Sequence, residues 1–161
     1  MSAFWEFSLR VYPAAGVKAA CLDLQAAGMD VNLGLWIVWA CVNGRDPGPA
    51  LGQAVAVSAL WGAQVVKPLR QARDALKSPP AMVDAKAARA LRKPILAAEL
   101  EAERLEQLAL EPLALACPEA AAEDRRALAL TRLQDYAARL GVSGARTGPF
   151  VENLFEALEN V

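Results

Sequence analysis

The sequence predicts an all-α protein, a single domain over residues 1–161 in which six or seven helices surround a central apolar helix at about residues 31–43. Apolar residues recur at helical spacing along nearly the whole chain. β-branched residues are few, and no segment alternates between apolar and polar residues as a strand does. All four tryptophans lie within the first 61 residues, where charged side chains are scarce. We therefore expect the N-terminal part to form the core and the later helices to pack around it.

Capping and stop residues mark the ends of the first three helices. Ser2 and Asp30 precede apolar helical patterns, so we expect their side chains to accept hydrogen bonds from first-turn amides. Pro13 stops the first helix, and Gly28 ends the second. The predicted helices of the whole chain span residues 3 to about 12, 15–27, 31–43, 50–77, 83–110, 120–140 and 150–158.

Two segments of the chain are strongly apolar. Residues 31–42 are apolar on every helix face, which is typical of a helix at the centre of a core. This run is too short to cross a bilayer, and the longer run 50–66 contains two glutamines, a serine and two glycines. We interpret both as buried helices and expect no membrane insertion.

Glycine and proline interrupt the helical pattern after the central helix. Gly62 and Pro68 are expected to split or kink the fourth helix. Pro94 lies inside the fifth helix or at a restart, and Pro112 and Pro118 are expected to bracket a connector. This connector would separate the first five helices from the C-terminal ones.

The charge is nearly balanced overall but unevenly distributed. The formal net charge is −1, so bulk electrostatics attract neither nucleic acid nor anionic lipid. Residues 67–93 carry eight basic and two acidic side chains, whereas residues 94–161 sum to −6. We expect the basic segment to lie beside the acidic one and to form exposed ion pairs with it. A free basic face that binds phosphate or nucleic acid is the alternative.

The residue types exclude several kinds of chemistry. The chain has no histidine, which removes Ser-His-Asp and Cys-His catalysis and histidine-ligated zinc. It has no glycine-rich phosphate-binding motif. Its three cysteines show neither metal-ligand spacing nor a disulfide framework, and its N-terminus lacks the pattern of a signal peptide. We expect a cytoplasmic protein with no catalytic residue, cofactor or metal ion.

The fifth predicted helix carries the clearest candidate site. Glu99, Glu103 and Glu106 form one stripe between two apolar faces of this helix. If both faces pack, the stripe is partly enclosed, and its carboxylates raise one another's pKa unless cations meet them. The alternatives are that the stripe faces water or pairs with the basic segment 67–93. A metal site would be expected to add histidines, which the chain lacks.

Aromatic and amide side chains extend this candidate site. Asn32 opens an otherwise apolar helix, where its amide either satisfies first-turn backbone groups or lines a pocket with Trp5 and Trp36. Tryptophan is rarely buried completely, and its N–H needs an acceptor. The binding residues predicted from the sequence are Trp5, Asn32, Trp36, Glu99, Glu103 and Glu106.

The leading functional hypothesis is a non-enzymatic protein that binds a segment of a partner protein. The first, third and fifth predicted helices would form an apolar and aromatic groove, and the carboxylates would orient the segment. A small-molecule pocket, with or without catalysis by Glu99 and Glu103, is the alternative. Nucleic-acid binding through residues 67–93 is the weaker alternative, and a homo-oligomer stays open.

Several short patterns occur together in the first two thirds of the chain. They include Phe4-Trp5-x-Phe7-Ser8-Leu9, Asp30-Val31-Asn32-Leu33, Val66-Lys67-Pro68-Leu69-Arg70 and Glu99-Leu100-x-Ala102-Glu103. As a set, over roughly residues 4–110, they resemble a bacterial family known as domain of unknown function 2390. The resemblance implies a cytoplasmic helical protein of this size, and it implies no activity, cofactor or catalytic residue.

Overall fold

The computed structural model describes residues 1–121 and 123–160. Their regular structure is helical, apart from one isolated β-bridge between Arg45 and Glu119. The helices are α1 (Ala3–Val11), α2 (Val17–Ala26), α3 (Val31–Val42), α4 (Leu51–Trp61), α5 (Lys67–Ala75), α6 (Ala85–Leu115), α7 (Arg125–Leu140) and α8 (Thr147–Glu159). A 3-10 turn, Gly48–Ala50, precedes α4, and a π-helical turn, Gly62–Val66, joins α4 to α5. With α4 and α5 counted as one continuous helix, the described residues form seven helices, which confirms the predicted all-α class.

Four helices begin at a side-chain cap. Ser2 and Asp30 each accept a hydrogen bond from the amide three residues later, as the sequence predicts. Asp84 and Asp124 do the same at the starts of α6 and α7. Each cap satisfies an amide that has no partner within its own helix.

The two C-terminal helices begin at different residues from those predicted. α7 begins at Arg125, after its aspartate cap, and Ala122 of the predicted helix start lies outside the described residues. α8 begins at Thr147 rather than at residue 150, so Pro149 falls in its first turn. Proline is tolerated there because first-turn amides have no partner within the helix.

α3 lies at the centre of the core, as predicted. Ten of its twelve residues are buried, and Trp36 and Ile37 are completely so. It packs most extensively against α6 and α7, and also against α1, α2 and α4. Phe4 of α1 stacks on Trp39 of α3 with ring centroids 5.2 Å apart. Because neighbours cover it on every side, this helix needs no polar face.

α4 and α5 form one continuous helix through the π-helical turn. The amide of Lys67 donates to the carbonyl of Gly62, five residues earlier. The next residue, Pro68, has no N–H, and in a regular α-helix its ring would crowd the carbonyl of Gln64. The wider π-helical turn accommodates this proline. The disruption expected at Gly62 and Pro68 is therefore a change of helical register rather than a break.

The prediction that residues 50–66 form a buried helix is wrong. α4 buries only Leu51, Ala54 and Ser58, which share one face. This face packs against α3 and α6, while the opposite face is exposed because α4 lies at the edge of the bundle. By length and composition alone, the helix Gly48–Ala75 could cross a membrane.

α6 is a single helix of 31 residues that passes through Pro94 and Pro112. The connector expected to begin at Pro112 is wrong, because Leu110 and Ala114 of the same helix are buried in the core. Both prolines lie on the exposed side of α6. There the carbonyl that loses its helical hydrogen bond can bind water instead.

Two tryptophan side chains attach α6 to its neighbours. Trp36 Nε1 of α3 donates to the carbonyl of Leu110 at 2.8 Å. Trp61 Nε1 of α4 donates to the carbonyl of Ala102, also at 2.8 Å. These bonds satisfy both indole N–H groups and hold α6 between α3 and α4. The glutamate stripe is thereby fixed against the helices that face it.

Candidate functional site

A cavity of about 620 Å³, partly open to solvent, lies among helices α1 to α7. Its volume falls within the range of about 300–1,000 Å³ that small-molecule sites occupy. The π-helical turn lies along one wall through Gly62 and Val66. Most of the wall is apolar, with side chains that include Trp5, Leu9, Tyr12, Leu22, Met29, Leu35, Val55, Val66 and Leu100.

A chain of hydrogen bonds across four helices forms the polar end of the cavity. Ser8 donates to Gln107 Oε1 at 3.0 Å, and Gln107 Nε2 donates to Asn32 Oδ1 at 2.8 Å. Asn32 Nδ2 donates to one oxygen of Glu106 at 2.9 Å, and the Ser58 hydroxyl donates to the other at 2.6 Å. Because Asn32 and Ser58 both donate to Glu106, the network ends at an acceptor in that position.

Glu106 lines the cavity although its side chain is only 1% exposed. Burial disfavours the charged form of its carboxyl group, and the neighbouring Asp30 carboxylate disfavours it further. Hydrogen bonds from Ser58 and Asn32 oppose this shift without cancelling it, and the pKa of Glu106 is raised to about 7. Glu106 therefore exchanges its proton near neutral pH.

Asp30 and Tyr136 complete the polar end. The Asp30 carboxylate caps α3 by accepting from the amide of Leu33 at 3.1 Å, and its backbone amide donates to the Tyr136 hydroxyl at 2.9 Å. Burial raises the pKa of the Asp30 carboxyl group and that of the Tyr136 hydroxyl above their ordinary values. Tyr136 therefore keeps its hydrogen, and no acceptor for that hydrogen is found among residues 1–121 and 123–160.

Glu99 and Glu103 meet two arginines of α5 beside the cavity. Arg70 Nε lies 2.8 Å from Glu99 and its Nη2 lies 3.1 Å from Glu103, while Arg73 Nε lies 2.6 Å from Glu99. Burial opposes ionisation of Glu99, but the two guanidinium groups outweigh it and lower the pKa of Glu99. Burial also acts on Glu103, and its pKa is raised. The predicted pairing of basic and acidic segments is confirmed, although Glu99 is buried rather than exposed.

The cavity brings together four of the six binding residues predicted from the sequence. These four are Trp5, Asn32, Glu103 and Glu106. Trp36 does not line the cavity, because it is completely buried in the core. Glu99 does not line it either, because its carboxylate faces Arg70 and Arg73.

Several polar residues of the cavity were not identified as site residues from the sequence. They include Ser8, Asp30, Ser58, Gln107 and Tyr136. Gln107 directly follows the glutamate stripe, and Ser58 interrupts an apolar run. Both positions could therefore have been identified from the sequence as candidate site residues. Asp30 was identified only as a helix cap. Tyr136 lies in α7, and no pattern in the sequence connects it with the glutamate stripe.

The site provides acidic, amide and hydroxyl groups. No group of three or more Cys, Asp or Glu side chains that could hold a metal ion is found in the described part of the chain. Cys21 lines the cavity, but burial raises the pKa of its thiol to about 11, so the thiol stays protonated at neutral pH. The arrangement can therefore orient a polar group by hydrogen bonds and exchange a proton at Glu106.

Comparison with curated proteins and with solved structures finds no match. A family model described as a protein of unknown function, DUF2390, matches residues 3–110. The matched range contains every residue that lines the cavity except Tyr136 and Leu140. Since the match covers more than half of the chain, the protein belongs to the DUF2390 family.

Proposed function

We propose that this protein binds a small amphipathic organic molecule in the cavity among α1 to α7. The observation that carries the proposal is a partly enclosed space of about 620 Å³ with mostly apolar walls and one polar end. Ligand pockets commonly combine a large apolar surface, which supplies affinity, with a few polar groups that fix orientation. Asn32, Glu103 and Glu106 supply such groups here.

The shape of the cavity favours a small molecule over a segment of a partner protein. A bound helix or extended peptide needs an open groove with a row of anchor sites along it. The lining residues come instead from helices that surround a hollow. Binding of a partner protein stays a prediction, and the exposed leucines of α6, among them Leu91, Leu96 and Leu105, would be the surface available for it.

The arrangement supports binding better than catalysis or nucleic-acid recognition. An acid–base pair of Glu99 and Glu103 would need both carboxylates on the cavity, and Glu99 is engaged by Arg70 and Arg73 instead. The same contacts occupy two cations of the basic segment, which leaves fewer of them for phosphate groups. Both alternatives are therefore less well supported than a bound organic molecule.

A cytoplasmic location is part of the same proposal. Cys21, Cys41 and Cys117 are all free and buried. A reducing compartment keeps such thiols reduced. Fractionation of cells that express the untagged protein tests this point, and recovery in a secreted or membrane fraction would contradict it.

Titration with N-phenyl-1-naphthylamine, an uncharged dye that brightens in apolar surroundings, tests the binding proposal. We expect saturable binding at a single site, because the apolar walls can enclose the aromatic rings. Gly62→Leu should weaken it. A Cβ at Gly62 meets no atom within 4 Å, and the backbone there is helical, so the new side chain would extend into the cavity without strain and take up part of its volume.

Gly52→Leu is the matched control. Gly52 lies earlier on α4, is exposed and does not line the cavity. This variant should bind the dye as the unchanged protein does, while gaining the same side chain. The proposal is wrong if the folded protein binds no dye, or if Gly62→Leu and Gly52→Leu bind it equally well.

A further inference from the structure

We propose that the polar end of the ligand is an organic cation, a protonated amine with a hydroxyl or carbonyl oxygen next to it. This inference rests on the proposed binding function and adds the chemical class of the ligand. The amine would lie against the carboxylates of Asp30, Glu103 and Glu106, and the oxygen would accept the hydrogen of Tyr136.

The charges that line the cavity favour a positive ligand. Three carboxylates, those of Asp30, Glu103 and Glu106, face two cations, Arg70 and Lys67. The Arg70 guanidinium is already shared between Glu103 and a second carboxylate outside the cavity. Lys67 is exposed to solvent, where water screens its charge. The enclosed end of the cavity therefore offers acceptors and negative charge, and little to hold an anion.

The pKa shifts of the three carboxyl groups are also consistent with a positively charged ligand. Burial raises the pKa of Asp30, Glu103 and Glu106, and the charge of Asp30 raises the other two further. An ammonium group placed among them would reverse these shifts by favouring the charged forms. Both Glu106 oxygens accept hydrogen bonds from uncharged side chains. The network therefore ends at an acceptor, and a cationic donor would complement that acceptor.

The hydroxyl group of Tyr136 is a second, independent observation. Tyr136 is 3% exposed and lines the cavity. Its oxygen accepts from the Asp30 amide, while its own hydrogen finds no acceptor among the residues that the structure describes. Because Tyr136 borders the cavity, its hydroxyl can still donate a hydrogen bond to a bound molecule. An oxygen atom beside the amine would accept that hydrogen, which a plain hydrocarbon end would not.

An organic cation fits this site better than a metal ion does. The described carboxylates do not form a group that could hold a metal. The apolar walls instead suit a hydrocarbon or aromatic body attached to the charged group. The ligand would therefore be an amphipathic amine oriented with its charge towards α6.

Displacement of N-phenyl-1-naphthylamine by octylamine, octanol and octanoate tests the charge. The three compounds share one apolar chain, so differences in affinity report on the polar end alone. We expect octylamine to bind at least tenfold more tightly than octanoate, and more tightly than octanol. We also expect 1-amino-2-octanol to bind more tightly than octylamine. Octanoate binding as tightly as octylamine would overturn the proposed charge, and no gain from the added hydroxyl would overturn the proposed oxygen.

Three conservative variants test which residues cause the preference for an amine and for the added hydroxyl group. Asp30→Asn retains a side chain that can cap α3, and Glu106→Gln retains the shape of the carboxyl group. Each should weaken octylamine binding several-fold more than it weakens octanol binding. Tyr136→Phe should remove the advantage of 1-amino-2-octanol over octylamine. Unchanged octylamine affinity in both acidic-residue variants would overturn the inference.

The dye separates failure of this inference from failure of the proposed function. Each variant must still bind N-phenyl-1-naphthylamine, which shows that its cavity is intact. If the unchanged protein binds neither the dye nor any octyl compound, the binding function itself is wrong. If it binds the dye and octanol but prefers octanoate, the function stands and only the ligand class is wrong.

Discussion

Glu99 and Glu106 lie about two turns apart on the same stripe of α6, and their surroundings give them opposite properties. Both are buried, at 4% and 1% exposure. Glu99 faces the guanidinium groups of Arg70 and Arg73, and its pKa is lowered. Glu106 receives only uncharged donors and has Asp30 nearby, and its pKa is raised to about 7. The partners of a buried carboxylate, more than its burial, therefore decide its charge.

This difference separates a structural site from a ligand site along one helix. The Glu99 end joins α5 to α6 through ion pairs that are complete within the protein. The Glu106 end borders the cavity and retains the capacity to gain a cationic partner. Substitutions at the two ends should accordingly affect stability and binding in different proportions.

The largest expected effect is a loss of stability on Glu99→Ala. The substitution leaves two arginines without their shared carboxylate, and we expect the free energy of unfolding to fall by about 2–3 kcal/mol. This lies below the range of about 3–5 kcal/mol for fully buried pairs, because Arg70 and Arg73 are partly exposed. Urea denaturation measures the change. Glu101→Ala breaks an exposed pair with Arg104 and should leave the free energy of unfolding nearly unchanged. A loss as large as that of Glu99→Ala would contradict this comparison.

The next effect is a pH dependence that originates at Glu106. Its pKa in the folded protein is raised from the ordinary value of 4.5 to about 7, so the folded state binds the proton more tightly than the unfolded state does. The contribution of Glu106 to the free energy of unfolding is therefore fully present below the ordinary value and is lost as the pH rises through about 7. We expect Glu106→Gln to remove about 1–3 kcal/mol of this loss. Asp30 and Glu103 act with the same sign, so the variant profile should be shallower rather than flat.

Glu99 makes the free energy of unfolding depend on pH in the opposite direction. Its pKa is lowered, so its stabilising contribution is present above the ordinary carboxyl range and is lost as the pH falls. Urea denaturation of the unchanged protein and of Glu106→Gln, between about pH 5 and pH 8, measures the effect of Glu106. Parallel profiles for the two proteins would show that Glu106 does not titrate in this range.

Ser58→Ala should reduce stability by a smaller amount and should also change the pKa of Glu106. It removes one donor to Glu106, which should cost about 1 kcal/mol of stability and raise the pKa of Glu106 further. Carboxyl NMR measures the pKa directly. Thr131→Ala removes an exposed hydroxyl that bonds within α7 and should leave Glu106 unchanged. A lower pKa of Glu106 in Ser58→Ala would contradict the proposed role of this hydrogen bond.

The smallest effect is expected at Gly62, beside the cavity. Gly62→Ala should stabilise the protein by about 0.5–1 kcal/mol, because alanine favours the helix and its Cβ meets no atom within 4 Å. Gly34→Ala in the packed core should instead destabilise it, since the added Cβ would lie 2.8 Å from a Leu24 carbon and 3.2 Å from Phe150. Thermal denaturation of both variants compares the two regions. Destabilisation by Gly62→Ala would indicate that the cavity is filled by protein atoms.

The fold was predictable where local patterns and tertiary packing agree. α3 is apolar on every face, and only a central position can bury such a helix. The prediction was wrong at Pro112, because the local tendency of proline to end a helix competes with burial of Leu110 and Ala114. It was also wrong for α4, since the apolar composition of residues 50–66 does not reveal that one face of the helix is exposed.

The sequence predicted the glutamate stripe of the candidate site, but it did not predict which residues face each glutamate. Helical spacing places Glu99, Glu103 and Glu106 on one side of α6, and periodicity carries no information about what faces each of them. Glu106 meets Ser58, which is distant in sequence, and Trp36 turns into the core rather than towards the stripe. These contacts depend on how helices pack, which a single sequence does not specify.

The central claim is that the Glu106 end of the stripe borders a ligand-binding cavity whereas the Glu99 end does not. Carboxyl NMR titration of the full-length protein, with and without saturating octylamine, tests it most directly. We predict that Glu106 titrates near pH 7 in the free protein, that octylamine lowers its pKa, and that the lower pKa of Glu99 stays unchanged. A Glu106 that titrates in the ordinary range and does not respond to octylamine would contradict the claim.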